Sequence, residues 1–132
     1  NMRDVRYQYF KRQCEQKHLR IWTHITMDCQ EAIFGYLVYG WEPGGFLTAV
    51  MANDLYRAAT VADIANVDHL AYVAKFVVYA LPQASYGNYY QVKTWLRLTD
   101  QAREEILVAA RLLPDTFELI RLIAEEHAAP SF

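Results

Sequence analysis

The chain has 132 residues, 54% of them hydrophobic, and a formal net charge of −2. That is enough chain for one domain with a core of its own, needing neither metal nor disulfides, and five glycines with four prolines are too few for a collagen-like, sandwich-type or disordered polypeptide. Two cysteines, Cys14 and Cys29, point to a reducing compartment. No apolar run reaches the roughly 18 residues of a membrane span, and the start lacks the apolar core of a signal peptide, so the expected setting is a cytoplasm, away from membranes.

Asn1, ahead of Met2, reads as an expression-tag remnant and is set aside. Residues 2–22 form a basic amino-terminal helix or arm, exposed and rich in Arg, Lys, Gln and Tyr, with a narrow apolar stripe at Val5, Tyr9, Phe10, Cys14 and Leu19. Residues 21–25 carry β-branched side chains and read as a short extended link. Thr26 or Asp28 caps the next helix, which runs through Ala32, Ile33, Tyr36, Leu37 and Tyr39 to Gly40, a natural left-handed terminator. Trp41-Glu42-Pro43-Gly44-Gly45 is the strongest turn signal in the chain. Phe46, Leu47, Val50 and Met51 then have helical spacing, and Asn53-Asp54 closes that helix and caps a short one over 55–62.

Asp63, Asn66 or Asp68 can cap the following helix, whose inner face is Leu70, Val73, Phe76, Val77, Ala80 and Leu81, and Pro82 stops it. After a polar loop over 83–88, a helix over 89–98 turns Val92, Trp95 and Leu96 inward. Thr99 caps a helix over 100–113. Pro114 breaks the chain, and Asp115 caps the last helix, 116–127, with Phe117, Ile120, Ile123 and Ala124 facing in and Leu119 and Leu122 on another side. The expected fold is all-α, a compact single-domain bundle of about six or seven helices: the basic segment, a core over 26–98 and an acidic helix pair over 99–132.

Charge is unevenly spread. Residues 2–20 carry a net +4, residues 21–98 a net −2 and residues 99–132 a net −4. These ends are either solvated, paired with one another, or directed at partners of opposite charge.

Catalytic signals are weak. Cys14 and His18 are i, i+4 on a helix, but His24 and Cys29 would have to complete any metal site from another segment, without the tight ligand pairs zinc prefers. Lys11, Arg12, Lys17 and His18 around Cys14 favour a thiolate, which suggests reactivity, but an incidental surface or core thiol is the stronger expectation. There is no phosphate-binding glycine loop, nucleophile elbow or His-Glu-x-x-His. No enzyme activity, cofactor or metal is expected. Binding is the better supported class. Arg3, Arg6, Lys11, Arg12 and Lys17 interleave with Tyr7, Tyr9 and Phe10, and a second aromatic cluster lies at Tyr86, Tyr89 and Tyr90. Cations neutralise phosphates and rings stack on bases, yet the sequence pI near 6.1 is low for a nucleic-acid binder. Ten tyrosines and three tryptophans suit a protein interface. The first expectation is therefore a protein partner or a homo-oligomer, and the alternative is nucleic acid on the basic amino-terminal helix.

The run from Tyr36 to Leu55, with Gly40, Pro43-Gly44, Phe46-Leu47-Thr48-Ala49-Val50 and Asn53-Asp54-Leu55, resembles a segment of small bacteriophage and prophage proteins without an assigned activity. Their pattern is Gly-x-x-Pro-Gly-x-Phe-Leu-Thr-Ala-Val-x-x-Asn-Asp-Leu. The likeness continues through Ala62-Asp63, Asn66, Tyr79-Ala80-Leu81-Pro82, Gly87, Val92 and Trp95, covering about residues 29–96 and neither end. The resemblance implies a phage-encoded protein acting in the bacterial host cytoplasm. Small phage proteins of this kind often bind and block a host protein, such as a defence or transcription component.

Overall fold

The computed structural model describes residues 1–128, and among them nine α-helices and one 3-10 turn carry the fold, with no strand. The first helix, α1 (Met2–Trp22), begins under Asn1, whose Oδ1 accepts the Asp4 N–H at 3.0 Å. It is part of the core, not an exposed arm: Phe10, Cys14 and Trp22 are buried. Phe10 meets Phe34 and Trp22 edge-on, with ring centroids 5.4 and 5.8 Å apart, and Trp22 lies 5.3 Å from Phe76. A kink at His18 (φ −138°, ψ 37°) precedes the last turn. The expected extended link over 21–25 is thus corrected to the end of α1 and a tight turn. The N–H groups of His24 and Ile25 close back on the Ile21 and Trp22 carbonyls at 3.1 Å. Burying an indole outweighs the weak strand preference of its neighbours.

α2 (Met27–Tyr39) starts under Thr26, whose Oγ1 accepts the Cys29 N–H at 3.2 Å. Every residue from Ile33 to Val38 is buried, so the second half of this helix runs through the core, as a stretch apolar on all sides must. Gly40 ends it at φ +68°. The Pro-Gly-Gly corner follows, and Phe46 and Leu47 are buried at the start of α3 (Gly45–Met51). Asp54 Oδ1 accepts the Arg57 N–H and opens α4 (Leu55–Val61).

Asp63 caps a separate short helix, α5 (Ile64–Asp68), rather than the long one after it. His69 leaves helical geometry (φ −114°, ψ 11°), and α6 (Leu70–Ala80) begins beyond it. Its inner face holds Val73, Phe76 and Val77, and Pro82 leads into a 3-10 turn, Gln83–Ser85. α7 (Tyr89–Arg97) buries Val92 and Trp95. α8 (Asp100–Ala109) is shorter than expected. Arg111 takes φ +61°, and the N–H groups of Leu112 and Leu113 both point to the Leu107 carbonyl. Burial of Leu112 and Leu113 draws the chain inward before the helix reaches Pro114.

In α9 (Thr116–Ala128) the expected face is rotated. Leu119 is buried and Leu122 and Ile123 are half-buried, whereas Phe117 is 82% and Ile120 64% exposed. α9 packs on α1, α1 on α6, and α8 on α2, while α3 packs on α4, α6 and α7. Two polar ties fix the centre. The Trp95 Nε1–H donates to the Tyr36 carbonyl at 3.1 Å, and the Tyr36 hydroxyl donates to the Ser85 carbonyl at 2.7 Å.

Candidate interaction surfaces

The packing of α1 decides what its cations can do. Arg6 is largely buried, and its Nη2 donates to Glu104 Oε1 of α8 at 2.7 Å. Arg12 borders a groove of about 350 Å³ between α1 and α9 that Glu125 and Glu126 also line. Lys11 stands 4.0 Å from Glu15, one turn on. Arg3 lies over the Trp41 ring, 5.4 Å from its centroid, and Trp41 stacks on Tyr39 at 4.8 Å. Lys17 is exposed. The five cations therefore go to different neighbours and do not form one basic strip. The basic and acidic ends of the chain meet inside the molecule.

The aromatic candidates are likewise dispersed. Tyr7 is half-buried against Phe34 at 5.1 Å, and burial with Glu31 nearby raises its hydroxyl above the ordinary tyrosine pKa. The Tyr86 hydroxyl donates to the Val78 carbonyl at 3.3 Å. Tyr89 donates to Asp54 Oδ2 at 2.5 Å, which holds that carboxyl below its usual range and raises the tyrosine. Tyr90 is 78% exposed.

The suggestion of a reactive Cys14 is corrected. The side chain is buried, and desolvation pushes the thiol up to about 12, against which the nearby Lys17 charge is a lesser influence. Cys29 is also buried, with its Sγ–H donating to Asn66 Oδ1 at 3.2 Å. Titration with a thiol reagent at pH 8 is expected to label neither cysteine in the folded protein and both after denaturation. Rapid native labelling of Cys14 would contradict this.

Sequence reasoning missed the segment richest in exposed large apolar side chains. In residues 55–67, five large apolar side chains, Leu55, Tyr56, Val61, Ile64 and Val67, are exposed, Tyr56 and Ile64 each at 85%. α4 buries only Ala58, and α5 buries nothing. Phe117 and Ile120 of α9 form a second exposed apolar pair.

Among the described residues, no helix is long and apolar enough to cross a membrane. No protein-family model, curated protein or solved structure matches the chain.

Proposed function

We propose that this protein is a non-enzymatic, phage-encoded interaction factor that binds a bacterial host protein, a defence or transcription component, in the host cytoplasm, and that residues 55–67 form the contact. The observation that carries the reading is the exposure of Leu55, Tyr56, Val61, Ile64 and Val67 on helices that add almost nothing to the core. Exposed apolar side chains gathered in one segment are a feature of protein-binding sites, and tyrosine is enriched among the residues that dominate their affinity. The phage and host elements rest on the Gly40 to Leu55 motif.

The nucleic-acid reading of α1 is weaker. Arg6 is engaged by Glu104, and Arg12 shares its groove with Glu125 and Glu126, an acidic setting that repels phosphate.

The test is affinity capture from a bacterial lysate with the full chain and with a Tyr56→Asp/Ile64→Asp variant. Both side chains are solvated, so the variant is expected to keep its helical spectrum and thermal midpoint. The wild type is expected to retain a discrete host protein, and the variant to bind that protein at least about thirtyfold more weakly, the effect of losing one hot spot. A wild-type chain that stays monomeric in light scattering and captures nothing, or a captured protein indifferent to both substitutions, would refute the proposal.

A further inference from the structure

Where the end of α1 meets α6, a cavity of about 480 Å³ opens between Arg20 and His24 on one side and Tyr72, Lys75 and Tyr79 on the other. The three α6 residues stand at i, i+3 and i+7, so they share one face of the helix, adjoining the buried Val73, Phe76 and Val77. The kink at His18 and the burial of Trp22 against Phe76 fix the last turn of α1 beside that face. His24 stacks flat on Tyr72, with ring centroids 4.1 Å apart and planes 15° from parallel, and the His69 ring lies 6.1 Å from His24. Tyr79 keeps an exposed ring.

The charge of this cavity sets it apart. The grooves between α1 and α2, between α1 and α9, beside Gly44 and Tyr89, and beside Asn53 are each lined by at least one aspartate or glutamate. The cavity at Arg20 and Lys75 has no carboxylate in its lining. Among the described residues, Arg20 and Lys75 are also not engaged in ion pairs, unlike Arg6, Arg103 and Arg121. Two cations without an ion-pair partner among the described residues, in one lining with a histidine stacked on Tyr72, make an anion site. The exposed tyrosine ring adds a surface for a flat ligand.

We infer that this cavity binds a nucleotide, its phosphate held by Arg20 and Lys75 and its base laid on Tyr79. Guanidinium and ammonium groups supply the charge-assisted hydrogen bonds that phosphate accepts. Every base has a face that stacks on an aromatic ring, so the site is tolerant of base identity. The volume lies in the range of small-ligand pockets. The ligand is either a free mononucleotide or one unit of a single strand. The inference is independent of the protein-binding surface at residues 55–67.

Isothermal titration of the full chain at low salt with adenosine monophosphate, adenosine, inorganic phosphate and a short single-stranded oligoadenylate tests it. Adenosine monophosphate is expected to bind, and both of its halves to bind at least about tenfold more weakly. Arg20→Gln and Lys75→Gln are each expected to weaken binding by about tenfold, one lost charged contact. Tyr79→Ser should weaken the nucleotide but not phosphate. Arg97→Gln, which removes an exposed cation on α7, should leave binding unchanged. An oligonucleotide that binds more tightly than the monomer identifies a single strand as the ligand, and equal affinities identify the free nucleotide. Absence of binding by the nucleotide and the oligonucleotide at millimolar concentration overturns the inference, as does binding that survives the paired Arg20 and Lys75 substitutions. Circular dichroism of each variant confirms that it remains folded.

Discussion

Replacing Arg103 with methionine is expected to cost about 3–5 kcal/mol of stability, the penalty of breaking a buried charged network, and to lower the thermal midpoint by on the order of 10–20 °C. The side chain is 3% exposed although its element, α8, lies near an acidic surface. Its Nε donates to the Val38 carbonyl and its Nη1 to the Trp95 carbonyl, each at 3.3 Å, and the same group also bonds to Leu98 and, through Nη2, to Asp100. Val38 lies in the last turn of α2, and Trp95 and Leu98 at the end of α7. Carbonyls at helix ends have no partner within their own helix. One planar guanidinium therefore closes two helix termini and joins three helices. Methionine matches the length but donates nothing, and it strands the Val38 and Leu98 carbonyls, while that of Trp95 keeps the Leu98 N–H at 3.2 Å. Lysine is expected to do little better, because an ammonium cannot reach the same acceptors in a fork. Asp100 is a different matter. Its side chain is 79% exposed, so Asp100→Ala should cost only about 1 kcal/mol, the sum of a solvated ion pair and a helix-dipole contact. Denaturant titrations of the three variants decide it. An Asp100 variant as unstable as the methionine variant would mean that the ion pair, not the carbonyl network, holds the corner.

That network explains what the sequence could and could not disclose. Gly40 is legible as a helix terminator, and it does take φ +68°. Its second reason is not legible. A Cβ there would stand 2.7 Å from the Arg103 guanidinium carbon, and nothing in an acidic segment far along the chain announces that approach. Caps are local, so Asp54, Thr99 and Asp115 can be read directly and Thr26 as one of two choices, and each accepts a backbone N–H of the helix it opens; Asp63 also caps, but a short helix that the sequence does not separate from the long one. Facing is not local. α9 carries two apolar stripes, and either satisfies helical spacing. Its contact with α1 selects Leu119, Leu122 and Ile123, leaving Phe117 and Ile120 outside.

The binding residues show the same division. The basic character of α1 is visible in composition, but the freedom of each cation depends on which helix it meets. Arg6 finds Glu104 98 positions away, while Arg20 and Lys75 share a lining with no carboxylate among the described residues. Opposite charges at the two ends of the chain therefore come together within the molecule at Arg6. Exposed apolar residues over 55–67 look like core in a composition count. Only the shortness of α4 and α5, and their failure to pack Ile64 or Tyr56, marks them as surface.

Trp95→Ala is expected to match or exceed the arginine variant, at about 3–5 kcal/mol for a fully buried aromatic ring. Trp95 is 0% exposed and lies among α2, α3 and α7, with its ring 6.4 Å from that of Tyr36. Removing it opens a cavity that close-packed neighbours refill only in part. It also deletes the donor to the Tyr36 carbonyl. That carbonyl still receives the Gly40 N–H at 3.2 Å, so the lost indole bond alone should matter less than the lost ring. Trp95→Phe separates the two contributions, because it keeps a ring and drops the N–H. Its cost is expected to be about 1–2 kcal/mol, one hydrogen bond and a partly filled space. Equal losses for phenylalanine and alanine would shift the weight from packing to the hydrogen bond. Trp41 is the contrast. It is 52% exposed, stacked on Tyr39 and covered by Arg3, so Trp41→Ala should cost less than about 1.5 kcal/mol, the sum of an exposed stacking contact and a surface cation–π contact. The order of the three variants in denaturant midpoint therefore measures how strongly the centre of the molecule, where Trp95 of α7 meets Tyr36 of α2, governs the fold.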